Sequence, residues 1–293
     1  MVRSGFLVLD KPEGITSHDL INRARRVLGT RKVGHAGTLD PMATGVMVLG
    51  VESATRLLDY VMAGQKRYLA TIKVGTLTVT DDREGDPLES VRVDEALMAE
   101  AERRLRSMIG KIEQIPSRVS AIKVDGKRAY DRVRSGEEVA LKPRVVEIFE
   151  LRITARRGEE FDIDVTCSAG TYIRAIARDC GGHLTSLRRI ESQPFTLDDC
   201  TTLDSPTLIP PRQGLGLLLP LYAITFEEQL EISLGRSISF RESELLLPEH
   251  GAMRADVIGA ISPSEELVAL LKPIDASLQP FVVLPESRHP AAK

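Results

Sequence analysis

The chain has no tryptophan, 4% aromatic residues and three cysteines among its 293 residues. Cys167, Cys180 and Cys200 are 13 and 20 residues apart, a spacing that excludes a disulfide framework and matches no zinc site. No apolar run approaches the roughly 20 residues that cross a bilayer. The N-terminus also lacks the apolar core of a signal peptide. We therefore expect a cytoplasmic protein without a membrane segment.

Several catalytic motifs are missing as well. The chain has no glycine-rich phosphate loop, no dinucleotide-binding fingerprint, no nucleophile elbow and no paired histidines on a helix. Its five histidines are scattered. The sequence accordingly predicts no nucleotide, flavin or metal cofactor.

The charge is distributed unevenly along the chain. The formal net charge is -3, yet residues 1–74 carry 11 Lys/Arg against 6 Asp/Glu, whereas residues 191–293 carry 7 against 15. A basic segment can face a polyanion such as RNA. Charge runs are more often solvated faces, so composition alone leaves both interpretations open.

Periodic apolar residues outline the elements. They predict strands over 6–9, 46–50, 68–74, 145–153 and 161–167, and helices over 17–28, 94–109 and from 173 onward. The acidic segment Thr78–Glu89 is predicted to be a loop. Runs of strands with isolated helices favour an α+β fold with a mostly antiparallel mixed sheet flanked by helices and loops. Prolines and glycines crowd residues 204–220, which predicts a linker between a domain at 1–205 and a smaller one at 220–293.

One loop stands out chemically. Asp40 lies among Gly34, Gly37, Pro41 and Gly45, residues that permit or lock unusual backbone angles and can present one carboxylate in a fixed place. The alternative is an ordinary Asp-Pro turn. These residues alone leave both interpretations open.

The segment Gly34–Gly45 resembles the signature of the TruB-type tRNA pseudouridine synthases, a family that includes the dyskerin-like RNA-guided enzymes. Further blocks match in order at 66–68, 80–86, 116–130 and 167–174, and the resemblance extends over residues 5–200. It implies the pseudouridine-synthase catalytic fold followed by a small C-terminal β-rich, PUA-like domain. It also implies the reaction: isomerisation of uridine 55 in the tRNA T-loop, after the base is flipped out of its stack.

The resemblance assigns roles residue by residue. Asp40 matches the essential catalytic aspartate, Arg174 the arginine that pairs with it, and Tyr68 the tyrosine that packs on the target base. The remaining substrate-binding positions are a histidine that fills the space of the flipped base, a polar residue near the cleft, a second base contact and an apolar wall: His35, Asp82, Tyr172 and Leu187.

The implied partner is the T-stem and T-loop of tRNA, bound by a monomer without a protein partner. Basic residues near the matching blocks are candidates for phosphate contacts: Arg23, Arg25, Arg26, Arg31, Lys32, Lys66, Arg67, Lys123, Lys127, Arg128, Arg188 and Arg189. Two features depart from the family pattern. The connection Cys180–His183 is shorter than in the family, which affects the match of Leu187 to the apolar wall of the pocket. The acidic tail, residues 191–293, would repel the phosphates of RNA. A synthase for another uridine, an RNA-folding chaperone and a uracil-releasing hydrolase are the alternatives.

Overall fold

The computed structural model describes residues 3–117, 123–124, 127–128, 141–248 and 256–285. Its larger sheet has nine strands: β1 (Gly5–Lys11), β2 (Val33–His35), β3 (Thr44–Val51), β4 (Lys66–Val74), β7 (Gly110–Gln114), β10 (Arg144–Arg157), β11 (Glu160–Cys167), β12 (Gly182–Ser192) and β13 (Phe195–Thr196). Two short hairpins lie outside it: β5 (Thr76–Thr78) with β6 (Pro87–Ser90), and β8 (Lys123–Val124) with β9 (Lys127–Arg128).

The central strands run in the order β1-β3-β12-β4-β11-β10-β7. Every neighbouring pair is antiparallel except β12 and β3, which are parallel. This arrangement confirms the α+β fold with a mostly antiparallel mixed sheet. The pair β12 and β3 matters for the site, because it joins the strand after the Asp40 loop to the middle of the sheet.

Among the described residues, six α-helices flank the strands: α1 (Ser17–Leu28), α2 (Leu58–Ala63), α3 (Glu95–Ser107), α4 (Ile173–Asp179), α5 (Pro211–Leu215) and α6 (Phe226–Ser233). The sequence prediction for α1 is confirmed in detail. Thr16 and Asp19 form a capping box at its start, and Gly29 ends it in the left-handed conformation. None of the helices in the described ranges is long and apolar enough to cross a membrane.

The second sheet has six strands: β14 (Leu221–Ala223), β15 (Ile238–Ser239), β16 (Leu245–Leu246), β17 (Ile258–Ile261), β18 (Leu267–Ile274) and β19 (Ser277–Val283). It supplies the small C-terminal β domain. One apolar cluster unites Phe6 and Val48 of the large sheet with Leu270 of the small one. The segment expected to be a linker contributes Leu215 and Leu219 to that cluster, so it packs between the two sheets.

Two segments differ from the sequence predictions. The acidic segment Thr78–Glu89, predicted to be a loop, includes the paired ends of the β5–β6 hairpin. Residues after Gly181 form β12, a strand at the centre of the sheet that no apolar alternation indicated. Its buried positions include His183, Arg189 and Ser192, whose polar groups concealed the strand.

Candidate active site

The loop between β2 and β3 presents Asp40, and two side chains fix the loop on either side of it. The Ser17 hydroxyl donates to Leu39 O at 2.9 Å and accepts from Leu39 N at 2.8 Å. The fully buried Lys11 ammonium donates to Pro41 O at 3.2 Å. Because the bonds hold the backbone on both sides of Asp40, its carboxylate is presented from a rigid segment.

Arg174, on the first turn of α4, is the partner of Asp40. Its Nε lies 2.9 Å from Asp40 Oδ2 and its Nη2 donates to Oδ1 at 3.0 Å, a bidentate pair. Nη1 donates to Thr80 O at 2.8 Å. The Arg174 side chain is 6% exposed and that of Asp40 35%, so the arginine lies behind the carboxylate and leaves one side of it accessible.

Asp82 lies on the other side of the same guanidinium. Its Oδ2 is 3.6 Å from Arg174 Nη1, and its Oδ1 accepts the Thr80 hydroxyl and the Glu84 amide. Asp82 is 2% exposed. The second carboxylate is therefore buried beside the Asp40–Arg174 pair, and its negative charge raises the pKa of Asp40.

The protonation of Asp40 is set by these neighbours. Burial in the cleft raises the pKa of Asp40, the Arg174 guanidinium opposes that rise, and the negative charge of Asp82 adds to it. A carboxylate in this setting is poorly hydrated and paired with a guanidinium. Such a carboxylate can stabilise or attack a cationic centre.

Tyr68, on β4, lies in the same cluster of buried residues as Leu39 and Met42 of the Asp40 loop. It is 8% exposed, and burial raises the pKa of its phenol. The positive charge of Arg189 opposes that rise. The phenol is therefore neutral at physiological pH and stays a hydrogen-bonding group.

Arg189, on β12, is 2% exposed and binds backbone carbonyls of the Asp40 loop and of β3. Its Nε donates to Val46 O at 2.7 Å and its Nη2 to Gly37 O at 3.2 Å. Gly45 faces Arg189 O so closely that an added Cβ would lie 2.1 Å from it. The glycine predicted to shape the loop is thus required by the close approach of β12.

The structure places the three remaining predicted site residues, His35, Leu187 and Tyr172, as follows. His35 ends β2, and its Nδ1 accepts from Gly37 N at 3.2 Å. Leu187 is 6% exposed on β12 and belongs to the cluster that contains Tyr68. Tyr172 is the residue before α4, with the Arg144 guanidinium 6.0 Å from its ring centroid. The structure brings Asp40, Arg174 and Asp82 together, and Tyr68 and Leu187 pack in the cluster that includes Leu39 and Met42 of the Asp40 loop.

Two of the basic residues proposed for phosphate contacts are buried, so those predictions are wrong. Lys66 is 5% exposed and donates to Val61 O, Met62 O and Gly64 O at 3.0, 2.8 and 2.7 Å. Arg189 holds the backbone carbonyls given above. Arg23, Arg26, Arg31 and Lys32 are exposed, and the side chains of Lys123, Lys127 and Arg128 lie outside the described residues.

Sequence reasoning missed Lys11 and Gln114, both of which are fully buried and hold the site through backbone groups. Neither the type of these two residues nor their spacing in the sequence indicates this role. Burial raises the pKa of Cys167 to about 11, of Cys180 to about 12 and of Cys200 to about 11, so none is a reactive thiolate. Within the described ranges, no cluster of His, Cys, Asp and Glu could hold a metal ion.

Comparison with known proteins identifies the family of this chain. Residues 25–173 match the family described as TruB family pseudouridylate synthase (N terminal domain). The chain belongs to the TruB family. "tRNA pseudouridine synthase B" of Arthrobacter sp. (strain FB24) is 44% identical over 99% of both chains. The protein of that name from Rhodococcus jostii (strain RHA1) is 44% identical, over 93% of this chain and 91% of its own.

Solved structures of TruB-like fold agree with the architecture. An H/ACA RNP bound to a substrate RNA containing 2'-deoxyuridine includes a chain at TM-score 0.69 and 21% identity, covering 96% of this chain and 84% of that one. A Cbf5-Nop10-Gar1 complex gives 0.68 at 21% identity, with 96% and 83% covered. At this identity the likeness concerns the fold, including the small C-terminal β domain.

Proposed function

We propose that this protein isomerises uridine 55 in the T-loop of tRNA to pseudouridine, with Asp40 as the catalytic carboxylate. The observation that carries the proposal is the bidentate Asp40–Arg174 pair, held at the end of a fixed loop that bears the TruB signature. Two relatives that are 44% identical to this chain over more than nine-tenths of its length are named tRNA pseudouridine synthase B.

The reaction needs one ionised carboxylate. Breaking the C1′–N1 bond places positive charge on the ribose and negative charge on the uracil. The uracil then rotates and rejoins C1′ through C5, and the hydrogen on C5 leaves as a proton. Asp40 meets the positive charge at the sugar as nucleophile or electrostatic partner, while Arg174 keeps its carboxylate ionised and oriented.

The flipped base needs walls as well as a carboxylate. In our proposal Tyr68 packs on the target base, Tyr172 contacts it a second time and Leu187 forms the apolar side of the pocket. His35 fills the space that the flipped base leaves in the RNA. Asp82 lies near the cleft, and its negative charge raises the pKa of Asp40.

We further infer that the T-stem and T-loop are the recognised part of the tRNA and that the protein acts alone, as a monomer in the cytoplasm. The relatives named tRNA pseudouridine synthase B align over nearly the whole chain, which supports action without a further subunit. Light scattering of the purified protein during turnover tests this: a monomer active without additions is expected, and dependence on a second protein contradicts it.

The function is tested by tritium release from unmodified tRNA labelled at uracil C5. Wild type should release tritium, and Asp40→Asn should release it at least about 1,000-fold more slowly while still binding tRNA. Asp59→Asn is the matched control, because Asp59 is an exposed aspartate on α2. A transcript with cytidine at position 55 should release no tritium.

The alternatives give different results. Release that persists with cytidine 55 indicates another uridine, and free uracil in the supernatant indicates a hydrolase. Tritium release by Asp40→Asn at the wild-type rate would remove Asp40 from the chemistry. No release by wild type together with unchanged tRNA refolding by Asp40→Asn would indicate a chaperone.

A further inference from the structure

The Gln114 side chain binds the backbone of Tyr172 as a neighbouring strand would. Its Nε2 donates to Tyr172 O at 3.1 Å, and Tyr172 N donates to its Oε1 at 2.8 Å. Gln114 is the last residue of β7 and is fully buried. Both polar ends of one buried amide are therefore used on a single residue 58 positions away.

This contact lies at the start of α4, where no side chain caps the helix. Tyr172 O also accepts from Ala175 N at 3.1 Å, so Gln114 binds the first turn of the helix at its origin. Arg174 lies in the same turn, with its guanidinium on Asp40. A shift of this turn would move the base contact and the partner of the catalytic carboxylate together.

A second contact reaches Tyr172 from the same edge of the sheet. Arg144 is the cross-strand partner of Gln114, and its guanidinium lies 6.0 Å from the centroid of the Tyr172 ring. One member of the pair thus holds the backbone of Tyr172 and the other faces its ring. Both atoms that fix the backbone belong to Gln114.

We propose that Gln114 is a positioning residue of the isomerase: it orients the Tyr172–Arg174 turn for catalysis and does not touch the RNA. The inference rests on the proposed function, because it assigns Gln114 to that reaction. The two hydrogen bonds to the Tyr172 backbone require a side chain with one donor and one acceptor at a fixed separation. The enzyme should therefore distinguish glutamine from residues of the same size.

Two variants test the hydrogen bonds of Gln114: one removes both of them, and the other removes only the donor. Gln114→Met removes both bonds at similar volume, and Gln114→Glu keeps an acceptor for Tyr172 N but loses the donor to Tyr172 O. We expect kcat for tritium release to fall about 10-fold in Gln114→Glu and about 100-fold in Gln114→Met, with KM for tRNA within twofold of wild type. Partial rescue by the conservative residue is the distinguishing result.

Gln229→Met is the matched control, because Gln229 is also a buried glutamine but lies on α6, in the C-terminal domain. It should lower the melting temperature and leave kcat unchanged. Wild-type kcat in folded Gln114→Met, or a loss confined to KM, would overturn the proposal. So would equal losses of kcat in all three variants.

Amide hydrogen exchange tests the positioning without the reaction. The Tyr172 amide should exchange at least about 10-fold faster in Gln114→Met than in wild type, and remain protected in Gln114→Glu. If wild type releases no tritium, the proposed function fails, while exchange still decides whether Gln114 fixes this turn. Unchanged protection of Tyr172 in Gln114→Met would contradict it.

Discussion

The Asp40 carboxylate lies beside two charges of opposite sign. Arg174 holds its pKa down and Asp82 pushes it up, while burial raises it from its ordinary value. In the proposed reaction only the ionised carboxylate can meet positive charge on the ribose, so turnover should fall as the pH drops through the pKa of Asp40. The two neighbours should therefore move this acid limb in opposite directions.

Arg174→Lys keeps a positive charge but cannot make the bidentate contact. We expect its acid limb to lie at higher pH than that of wild type, because the carboxylate is held ionised less strongly, and kcat to fall about 10- to 100-fold. Single-turnover rates over pH 4.5–8 measure both. An acid limb at lower pH would show that Arg174 does not stabilise the charge of Asp40.

Asp82→Asn removes the opposing charge and keeps an oxygen for the Glu84 amide. The pKa of Asp40 should fall, because one of the groups that raise it is gone, and the acid limb should move to lower pH. The same pH series measures it. A shift to higher pH would mean that Asp82 acts through the shape of its loop and not through its charge.

Several of these residues were accessible from the sequence and others were not. The glycines and proline around Asp40 indicated a fixed carboxylate, and the family resemblance paired Asp40 with Arg174, which the structure brings into contact. Gln114 gave no signal, because it binds the backbone of a distant residue and backbone partners leave no trace in residue type. The prediction that Arg189 contacts phosphate is wrong, because nothing in the local sequence shows that its guanidinium is buried.

At the scale of elements, the meeting of β3 and β12 depends on Gly45. Its φ is 104°, and an added Cβ would lie 2.1 Å from Arg189 O. Gly110 has nearly the same φ, 102°, with nothing within 4 Å of its Cβ position. Gly45→Ala should lower the free energy of unfolding by about 2–5 kcal/mol and Gly110→Ala by about 1–2 kcal/mol.

Urea unfolding of the two alanine variants measures this difference, which isolates the clash from the backbone strain. Gly45→Ala should also lose turnover, because Arg189 holds the Asp40 loop. Equal stability of the two variants would mean that β12 moves away at little cost.

β12 also shows where element prediction failed. The strands with alternating apolar residues, such as β4 and β11, were predicted close to their observed bounds. β12 buries His183, Arg189 and Ser192 beside apolar residues such as Leu187, and a strand with this mixture has no hydrophobic period to detect. Its partners are set by contacts with distant strands, which a local pattern does not contain.

At the scale of the molecule, the two sheets share one apolar cluster, which includes Leu57, Leu219 and Leu270. Separating the sheets would expose these side chains to water. We therefore expect the full chain to unfold in a single calorimetric transition, with the van't Hoff and calorimetric enthalpies in agreement. Two resolved transitions would show that the sheets unfold independently.

Leu270→Ala tests the same point at the junction. Removing this fully buried side chain should cost about 2–5 kcal/mol and lower the melting temperature of the whole chain. Leu271→Ala, its neighbour in the separate core of the small sheet, is the matched comparison. A single transition in both variants supports a common unit, whereas a low-temperature shoulder in either would reveal a partly independent domain.

The insertion of β12 between β3 and β4 has a consequence for synthesis on the ribosome. The strand that ties down the Asp40 loop is translated after β4, β10 and β11, so a nascent chain ending before Gly182 has an open gap in its sheet. We expect such chains to remain protease-sensitive around Gly37 and to leave tRNA unbound. The protein would then bind tRNA only late in its own translation. An incomplete chain on a stalled ribosome would not compete with that ribosome for tRNA.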